Sequence, residues 1–310
     1  MVAPLSQSAY EFLSRLDVSL EYTMQVAVGY FDESSDEDTA GVAYTVAGFV
    51  GNNHATAVLD MRWRDLLSKH NLDYFKASEL NSGNGQFRQF RDEPDRLEFT
   101  PFSEKEKKTF REIKSDFTDA ILGCEGLSGI GAVVVLPDYE QIRKDYPPAK
   151  TGLSFPYFIC ASMVLMELGV QFNRLNQRYR PDERMRVRPV FDSHEEYSGR
   201  MKQGFDRFCK MNPISARYLL PPHYENDKEY LSLQAADDLA FELRKALFLD
   251  RANMKERIPM TRLRESGMFL KVYKLDYNGL KLLADAHEAD FNPLEPIQYT
   301  LEDILQEHEK

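Results

Sequence analysis

The sequence has little cysteine and lacks the short motifs of several common enzyme classes. Its three cysteines, Cys124, Cys160 and Cys209, are far apart and have no Cys-x-x-Cys spacing. This pattern argues against a disulfide framework or a zinc knuckle and favours a reducing compartment. The motifs GxSxG, GxxxxGK[ST], GxGxxG after a strand and HExxH are also missing. Serine hydrolases, P-loop and dinucleotide-binding proteins and zincins are therefore disfavoured.

Positive charge and long apolar runs are also scarce. Acidic residues outnumber basic ones by 50 to 39, which gives a net charge of −11. That balance opposes loose binding to nucleic acid unless basic residues cluster locally. The N-terminus has no basic segment followed by an apolar one, so no signal peptide is predicted. The most apolar stretch, residues 155–170, is too short for a membrane span and contains Glu167. We expect a cytoplasmic protein without a membrane segment.

The pattern of apolar residues predicts an α/β fold. A chain of 310 residues with 43% hydrophobic residues can bury one substantial core. Two strands, residues 24–35 and 41–51, form a predicted antiparallel hairpin. Further strands are predicted over residues 127–136, 185–191 and 267–275, and helices over residues 54–70, 103–123, 155–179, 197–211 and 230–248. This order favours a mixed sheet flanked by helices.

Shorter segments and the domain limits complete the prediction. Residues 73–77 and 214–219 have strand-like composition, and residues 81–95 have no periodicity and are predicted to form a long loop. We expect an N-terminal arm over residues 1–23 and the main domain over residues 24–250. A C-terminal extension over residues 251–310 would complete this domain or pack on it.

Carboxylates follow the apolar residues of the first predicted strand. Asp32 and Glu33 come directly after Phe31. Neighbours in an extended backbone point to opposite faces, so only one of the two can face a given site. A carboxylate at the exit of a buried strand needs a cationic partner, and a divalent metal ion is well suited to this role. The alternative is that both residues begin a solvated turn.

Two later aspartates repeat this theme. Asp192 ends the predicted strand that contains Phe191. Asp237 lies on a helix whose apolar stripe consists of Leu233, Ala236, Ala240, Leu243 and Leu247. A carboxylate on a buried stripe needs a partner, because burying it unpaired costs several kcal/mol. The alternative for Asp237 is a salt bridge with Arg244 or Lys245. Three such aspartates in one chain favour a convergent metal site, for which Mg²⁺ or Mn²⁺ is the expected ion.

Four segments together resemble a known family. FDESS, FKASEL, VFDSHEE and LSLQAADDLA occur in this order within residues 24–250, and they resemble the bacterial family called domain of unknown function 3800. The resemblance implies a ribonuclease H-like fold, whose active members hold two divalent cations with strand-end and helix carboxylates. It also implies Asp32 and Asp192 as strand-end ligands and Asp237 as the helix ligand. The family usually has glycine at the position of Ser35, so the turn after Asp32 is expected to differ here.

Other candidate residues surround these three. Glu33 and Glu79 are weaker ligand candidates, and Lys76 is expected to contact phosphate or to orient Glu79. His194, with Glu195 or Glu196, could move protons or position water, although a surface loop is the alternative. Basic residues for phosphate contact are Arg186 and Arg188 in the arginine-rich segment 174–188, and Arg88, Arg91 and Arg96. Ordinary surface solvation is the competing explanation for these arginines.

The expected function is two-metal phosphodiester hydrolysis, with nucleic acid as the partner. The resemblance suggests a setting in defence or in a mobile element. Since a fold alone does not determine function, two alternatives stay open. One is a nucleic-acid- or protein-binding module with structural carboxylates, and the other is a hydrolase of small phosphoesters. A lysine or arginine filling the space between the three aspartates would favour the binding module.

Overall fold

The computed structural model describes residues 26–35, 41–93, 101–146, 155–179, 184–193, 198–251 and 257–288. The strands are β1 (Val26–Ser35), β2 (Ala43–Gly51), β3 (Ser128–Val135), β4 (Arg186–Asp192), β5 (His223–Glu225) and β6 (Leu270–Leu275). The helices are α1 (Asn53–His70), α2 (Ala77–Ser82), α3 (Glu104–Leu122), α4 (Leu136–Asp145), α5 (Pro156–Asn176), α6 (Ser198–Met211), α7 (Pro213–Ala216), α8 (Leu231–Arg251), α9 (Ile258–Glu265) and α10 (Tyr277–Glu288). A 3₁₀ helix covers Gly85–Phe90.

The strands form one mixed six-stranded sheet in the order β5-β4-β1-β2-β3-β6. β2 is antiparallel to both β1 and β3, as the predicted hairpin requires. β4 is parallel to β1, β5 is parallel to β4, and β6 is parallel to β3. The predicted α/β class is confirmed, and the sheet is consistent with a ribonuclease H-like fold. Three neighbouring strands, β1, β4 and β5, therefore run in one direction and end at one edge of the sheet.

Each face of the sheet has its own apolar core. One core contains Phe31 and side chains from α4, α5 and α10. The other contains Trp63 and side chains from α1, α3 and α8. Successive side chains of a strand alternate between faces, so Asp32 points away from the core that contains Phe31. Asp32 therefore faces α8, the helix that carries Asp237.

Among the residues that the structure describes, one helix, α5, has the length and composition of a membrane span. Most of its residues are buried inside the fold. Its buried Glu167 accepts hydrogen bonds from Tyr273 and Gln171. The helix packs as a core element of the domain, in agreement with the prediction from its length and its internal glutamate.

The segment between α1 and α3 differs most from the prediction. Residues 81–95 were expected to form a long loop, but α2 extends to Ser82 and the 3₁₀ helix follows. This segment folds because Phe87 is fully buried and packs edge-on against Phe75. The strand-like residues 73–77 belong to no strand. The backbone N–H groups of Phe75 and Ala77 bond to side chains of α8, as described below.

A smaller prediction was also wrong. The proposed short strand over residues 214–219 is instead the helix Pro213–Ala216, followed by a single bridge between Leu219 and Val187. The strand predicted over residues 24–35 forms, since β1 pairs with β2 as far as Ser35. The backbone at Ser35 is therefore extended, and glycine is not needed there.

Candidate metal centre

The carboxyl ends of three parallel strands bring three aspartates together. Asp32 lies in β1, Asp192 is the last residue of β4, and Asp227 follows β5 by two residues. One carboxylate oxygen from each residue lies within 4.8 Å of those from the other two. β4 and β1 pair up to Phe31 and Phe191, so Asp32 and Asp192 leave the paired region side by side. This group of three carboxylates could hold a metal ion.

Two of the three carboxylates are largely withdrawn from solvent, and two accept hydrogen bonds from nearby backbone N–H groups. Asp32 is 2% exposed and Asp227 is 8% exposed. Asp32 Oδ1 accepts a bond of 2.7 Å from the backbone N–H of Glu33, and Asp192 Oδ1 accepts one of 3.0 Å from that of Asp227. Asp32 Oδ2 is buried and accepts no hydrogen bond from the residues that the structure describes. A buried carboxylate oxygen in this condition is costly unless a cation lies nearby.

Burial raises the pKa of each predicted ligand. For Asp32 the pKa lies well above its usual range because of burial, although the ammonium of Lys76 acts in the opposite direction. For Asp192 the pKa is raised first by burial and then by the neighbouring charge of Asp227. For Asp237 burial again raises the pKa, while Lys76 lowers it. A positive partner beside these carboxylates would stabilise their charged form, which burial disfavours.

Lys76 supplies positive charge at this place. Its Nζ atom lies 2.6 Å from Asp227 Oδ2, 3.5 Å from Asp237 Oδ1 and 3.7 Å from Asp32 Oδ2. Burial lowers the pKa of the ammonium, but the three carboxylates outweigh burial and raise it above its usual value. The prediction that Lys76 orients Glu79 has no counterpart among these contacts. A lysine thus fills part of the space between the carboxylates.

Helix α8 holds Lys76 in place through two side chains one turn apart. Gln234 Oε1 accepts a bond of 2.9 Å from the backbone N–H of Phe75. Asp237 Oδ2 accepts one of 2.6 Å from that of Ala77. The backbone N–H groups of Phe75 and Ala77 are both bound to α8. Lys76 lies between these two residues, so its side chain is held towards the carboxylates. Asp237 therefore bonds to Lys76 and its neighbour, and not to Arg244 or Lys245, its alternative partners.

The same glutamine joins three other parts of the site. Gln234 is fully buried, and its Oε1 also accepts a bond of 3.0 Å from Trp63 Nε1. Its Nε2 donates 3.0 Å to the backbone carbonyl of Asp227. One amide thereby connects α1, the segment before α2 and the turn after β5. Trp63 is itself fully buried, so its bond to Gln234 satisfies the indole N–H inside the core.

The remaining predicted site residues lie at different distances from the centre. Glu33 is in β1 beside Asp32, and its charge contributes to the raised pKa values of Asp32 and Asp192. Glu79 accepts bonds of 3.0 and 3.2 Å from the hydroxyl of Tyr74, and it packs against Gly85. At Gly85, φ is +53° and a Cβ atom would meet the Glu79 carboxylate. Glu79 therefore stabilises the turn after α2, and within the described part of the chain it does not contact the three aspartates.

The arginines proposed for substrate contact are not brought to the centre. Arg186 begins β4 and Arg188 lies two residues further on, whereas Asp192 ends that strand. At about 3.3 Å per residue, they lie roughly 20 and 13 Å along the strand from Asp192. His194, Glu195, Glu196 and Arg96 lie outside the described residues.

Asp227 is the site residue that sequence reasoning missed. β5 has only three residues and directly follows Pro221 and Pro222, so no strand was predicted there. Its signal was the same one that identified Asp32 and Asp192: aromatic strand residues followed shortly by an acid. Tyr224 stacks on Phe191, which fixes the short strand against β4.

Comparison of the chain with protein-family models and with curated proteins gives no match. The resemblance to the domain of unknown function 3800 family therefore stays a prediction. The function has to be argued from the centre itself.

Proposed function

We propose that this protein is a metal-dependent phosphodiesterase acting on nucleic acid, with Mg²⁺ or Mn²⁺ as its cofactor. The observation that supports it is the convergence of Asp32, Asp192 and Asp227 at the ends of three parallel strands. Membership of the ribonuclease H-like family and a cytoplasmic location are parts of this proposal. The metal ligands proposed are Asp32 and Asp192, as expected from the sequence, and Asp227 in addition.

The donor set fits a hard divalent cation. All three ligands are carboxylates, which suit Mg²⁺ and Mn²⁺ better than the softer transition metals. Their separation of up to 4.8 Å slightly exceeds the distance of about 4 Å between opposite ligands of an octahedral Mg²⁺ ion. The buried Oδ2 of Asp32 accepts no hydrogen bond from the described residues, so it is an oxygen that a cation could bind. A bound cation would act as a Lewis acid on a phosphoryl oxygen and would activate water.

The ammonium group of Lys76 provides a positive charge for contact with a phosphate of the substrate. Its ammonium lies beside Asp32 and Asp227, close to where a phosphoryl group bound to the metal would sit. A metal ion that neutralised these aspartates would weaken their hold on Lys76 and allow it to contact the phosphate. The two-metal arrangement expected from the sequence would also require Lys76 to move, because it lies between Asp32 and Asp237.

The position of Lys76 also supports a second candidate function. A lysine 2.6 Å from Asp227 can neutralise the carboxylates permanently, as in a non-catalytic binding module. The two candidates differ in one measurable property, since a permanently neutralised site would not take up a divalent cation. Metal binding therefore separates them before any substrate is known.

The experiment measures cleavage of single- and double-stranded DNA and RNA with Mg²⁺, with Mn²⁺ and with EDTA. We expect metal-dependent cleavage by the wild type and at least a hundredfold loss in Asp192→Asn, as is typical when a catalytic metal ligand is removed. Asp116→Asn is the matched control, because Asp116 pairs with Lys69 on a different part of the surface. Wild type that binds no metal and cleaves none of these substrates would refute the proposed hydrolysis.

A further inference from the structure

A cleft with a cationic lining lies next to the metal centre. It has a volume of about 910 Å³ and is bounded by α2, α3 and the start of α9. Its basic lining residues are Lys107, Lys108, Arg111, Lys114, Arg257 and Arg262. Glu112 is the one carboxylate among the described residues that line it. This concentration of positive charge contrasts with the net charge of −11 for the whole chain.

The lining also contains apolar, partly aromatic side chains, here called the apolar floor. They are Leu80, Phe102, Phe110, Ile258 and Pro259. Ile258 is 66% exposed, an unusual state for a large aliphatic side chain beside a cavity. The exposed basic side chains Lys107, Lys108 and Arg111 are here called the rim. Basic side chains beside aromatic and aliphatic ones are the combination that binds single-stranded nucleic acid, with phosphates on the former and bases on the latter.

The inner end of the cleft adjoins the metal centre. Ala77 lines the cleft, and its backbone N–H donates to Asp237. The next residue towards the N-terminus, Lys76, reaches Asp32 and Asp227 of the metal centre. Lys114, at the base of the cleft, pairs with Asp238, the neighbour of Asp237. A chain lying in the cleft would therefore lead directly to the carboxylates.

The basic residues of the rim are available to a polyanion. Lys107 pairs with Glu104 at 2.7 Å and Lys108 with Glu112 at 3.8 Å, but their side chains are 47% and 75% exposed. Exposed ion pairs of this kind contribute about 0–1 kcal/mol, so phosphates can displace them at little cost. Among the other basic lining residues, Arg257 lies 3.2 Å from the buried Glu242, which fixes its position. The cleft therefore combines exposed charges with charges held by buried carboxylates.

We infer that this cleft binds a single-stranded nucleic-acid segment and guides it to the metal centre. The inference builds on the proposed function and specifies its substrate class. The apolar floor favours bases that are not already stacked within a duplex. The rim makes phosphate contacts that position the strand without reading its sequence.

The test measures binding in EDTA, where no cleavage occurs, by fluorescence anisotropy. The probes are labelled single-stranded DNA and RNA of about 20 nucleotides and a duplex of equal length. The variant K107Q/K108Q/R111Q removes the exposed rim. The control K144Q/K202Q/K210Q makes the same change in net charge on α4 and α6, which cover the other face of the sheet.

We expect the wild type to prefer single strands over duplex. The rim variant should bind at least about tenfold more weakly, and its slope of log affinity against log salt should be smaller by about 2. The control variant should bind as the wild type does. Equal binding by the rim variant and the wild type, or a wild type that prefers the duplex, would overturn the inference.

The same measurements distinguish strand binding in the cleft from metal-dependent hydrolysis at the centre. Asp192→Asn should bind single strands as the wild type does, because it lies outside the cleft lining. Loss of binding in the rim variant of a protein that takes up no Mn²⁺ would support the cleft and refute the proposed hydrolysis. Metal-dependent cleavage that is unaffected in the rim variant would support the hydrolysis and refute the cleft.

Discussion

Replacing Lys76 with methionine removes the ammonium from the centre while keeping a side chain of similar length. Asp227, Asp237 and Asp32 would each lose a cation that lies 2.6 to 3.7 Å away. Breaking a buried ion pair costs about 3–5 kcal/mol. The Lys76 side chain is 29% exposed, so solvent screens part of this effect. We expect the free energy of unfolding in EDTA at pH 7.5 to fall by about 2–4 kcal/mol.

The loss should depend on pH in a defined direction. Lys76 lowers the pKa values of Asp32 and Asp237, so both rise further above their usual range in Lys76→Met. The folded variant then binds more protons than the unfolded chain, and its stability falls as the pH rises. The deficit relative to wild type should therefore be larger at about pH 7.5 than at about pH 5.

Urea denaturation with EDTA and with Mn²⁺ measures both effects. Mn²⁺ should restore stability to the variant, by about 2.7 kcal/mol at a hundredfold excess over Kd. Mn²⁺ should also bind to the variant more tightly than to the wild type, because the competing ammonium is gone.

Lys69→Met is the control. The Nζ atom of Lys69 lies 2.6 Å from Asp116 Oδ2, but the lysine side chain is 58% exposed. It should lose less than about 1 kcal/mol. A Lys76→Met variant as stable as wild type at both pH values, and indifferent to Mn²⁺, would refute the reasoning.

Three further predictions follow from individual contacts. Gln234→Leu should lower the free energy of unfolding by about 2–4 kcal/mol, because Trp63 Nε1 and a backbone N–H lose their acceptor in the core. Ser103→Ala should lower it by about 1 kcal/mol, because its hydroxyl accepts the N-cap bond of α3. In calorimetric titrations, Asp227→Asn should abolish Mn²⁺ binding, whereas Asp237→Asn should retain it, because Asp237 bonds to Lys76 and to a backbone N–H.

Controls make these outcomes decisive. Gln89 forms its hydrogen bonds at the exposed surface, so Gln89→Leu should change the free energy of unfolding by less than about 1 kcal/mol. If Gln234→Leu lowers it no more than Gln89→Leu does, the proposed role of Gln234 in the core is contradicted. Ser103→Asp keeps a capping acceptor and should restore α3, and a Ser103→Ala variant as stable as wild type would be contrary to expectation. If Asp227→Asn and Asp237→Asn both lose Mn²⁺ binding to the same extent, Asp237 is also a metal ligand.

The elements that periodicity determines were predictable from the sequence. Leu233, Ala236 and Ala240 recur at helical spacing, and α8 forms with that stripe buried. Asp32 and Asp192 could be found because each follows a strand whose apolar pattern is clear. The capping box of Ser103 and Glu106 follows the serine-x-x-glutamate pattern, and both of its bonds are local in the sequence.

Long-range contacts explain what the sequence did not reveal. Residues 73–77 resemble a strand in composition, but side chains of α8, about 160 residues later, bind their N–H groups. β5 is too short to show a period, so Asp227 was not recognised. The basic cleft combines residues from α3 and α9 that are separated by more than 140 positions, and no local pattern joins them.

The proposed hydrolysis depends on one property, the capacity of three aspartates to bind a divalent cation in competition with Lys76. Isothermal titration of the wild type with Mn²⁺ tests it directly, with Asp32→Asn and Asp192→Asn titrated in parallel. We predict saturable binding by the wild type and at least a hundredfold weaker binding by each variant. No binding by the wild type, or equal binding by all three proteins, would contradict the proposal and leave a centre neutralised by its own lysine.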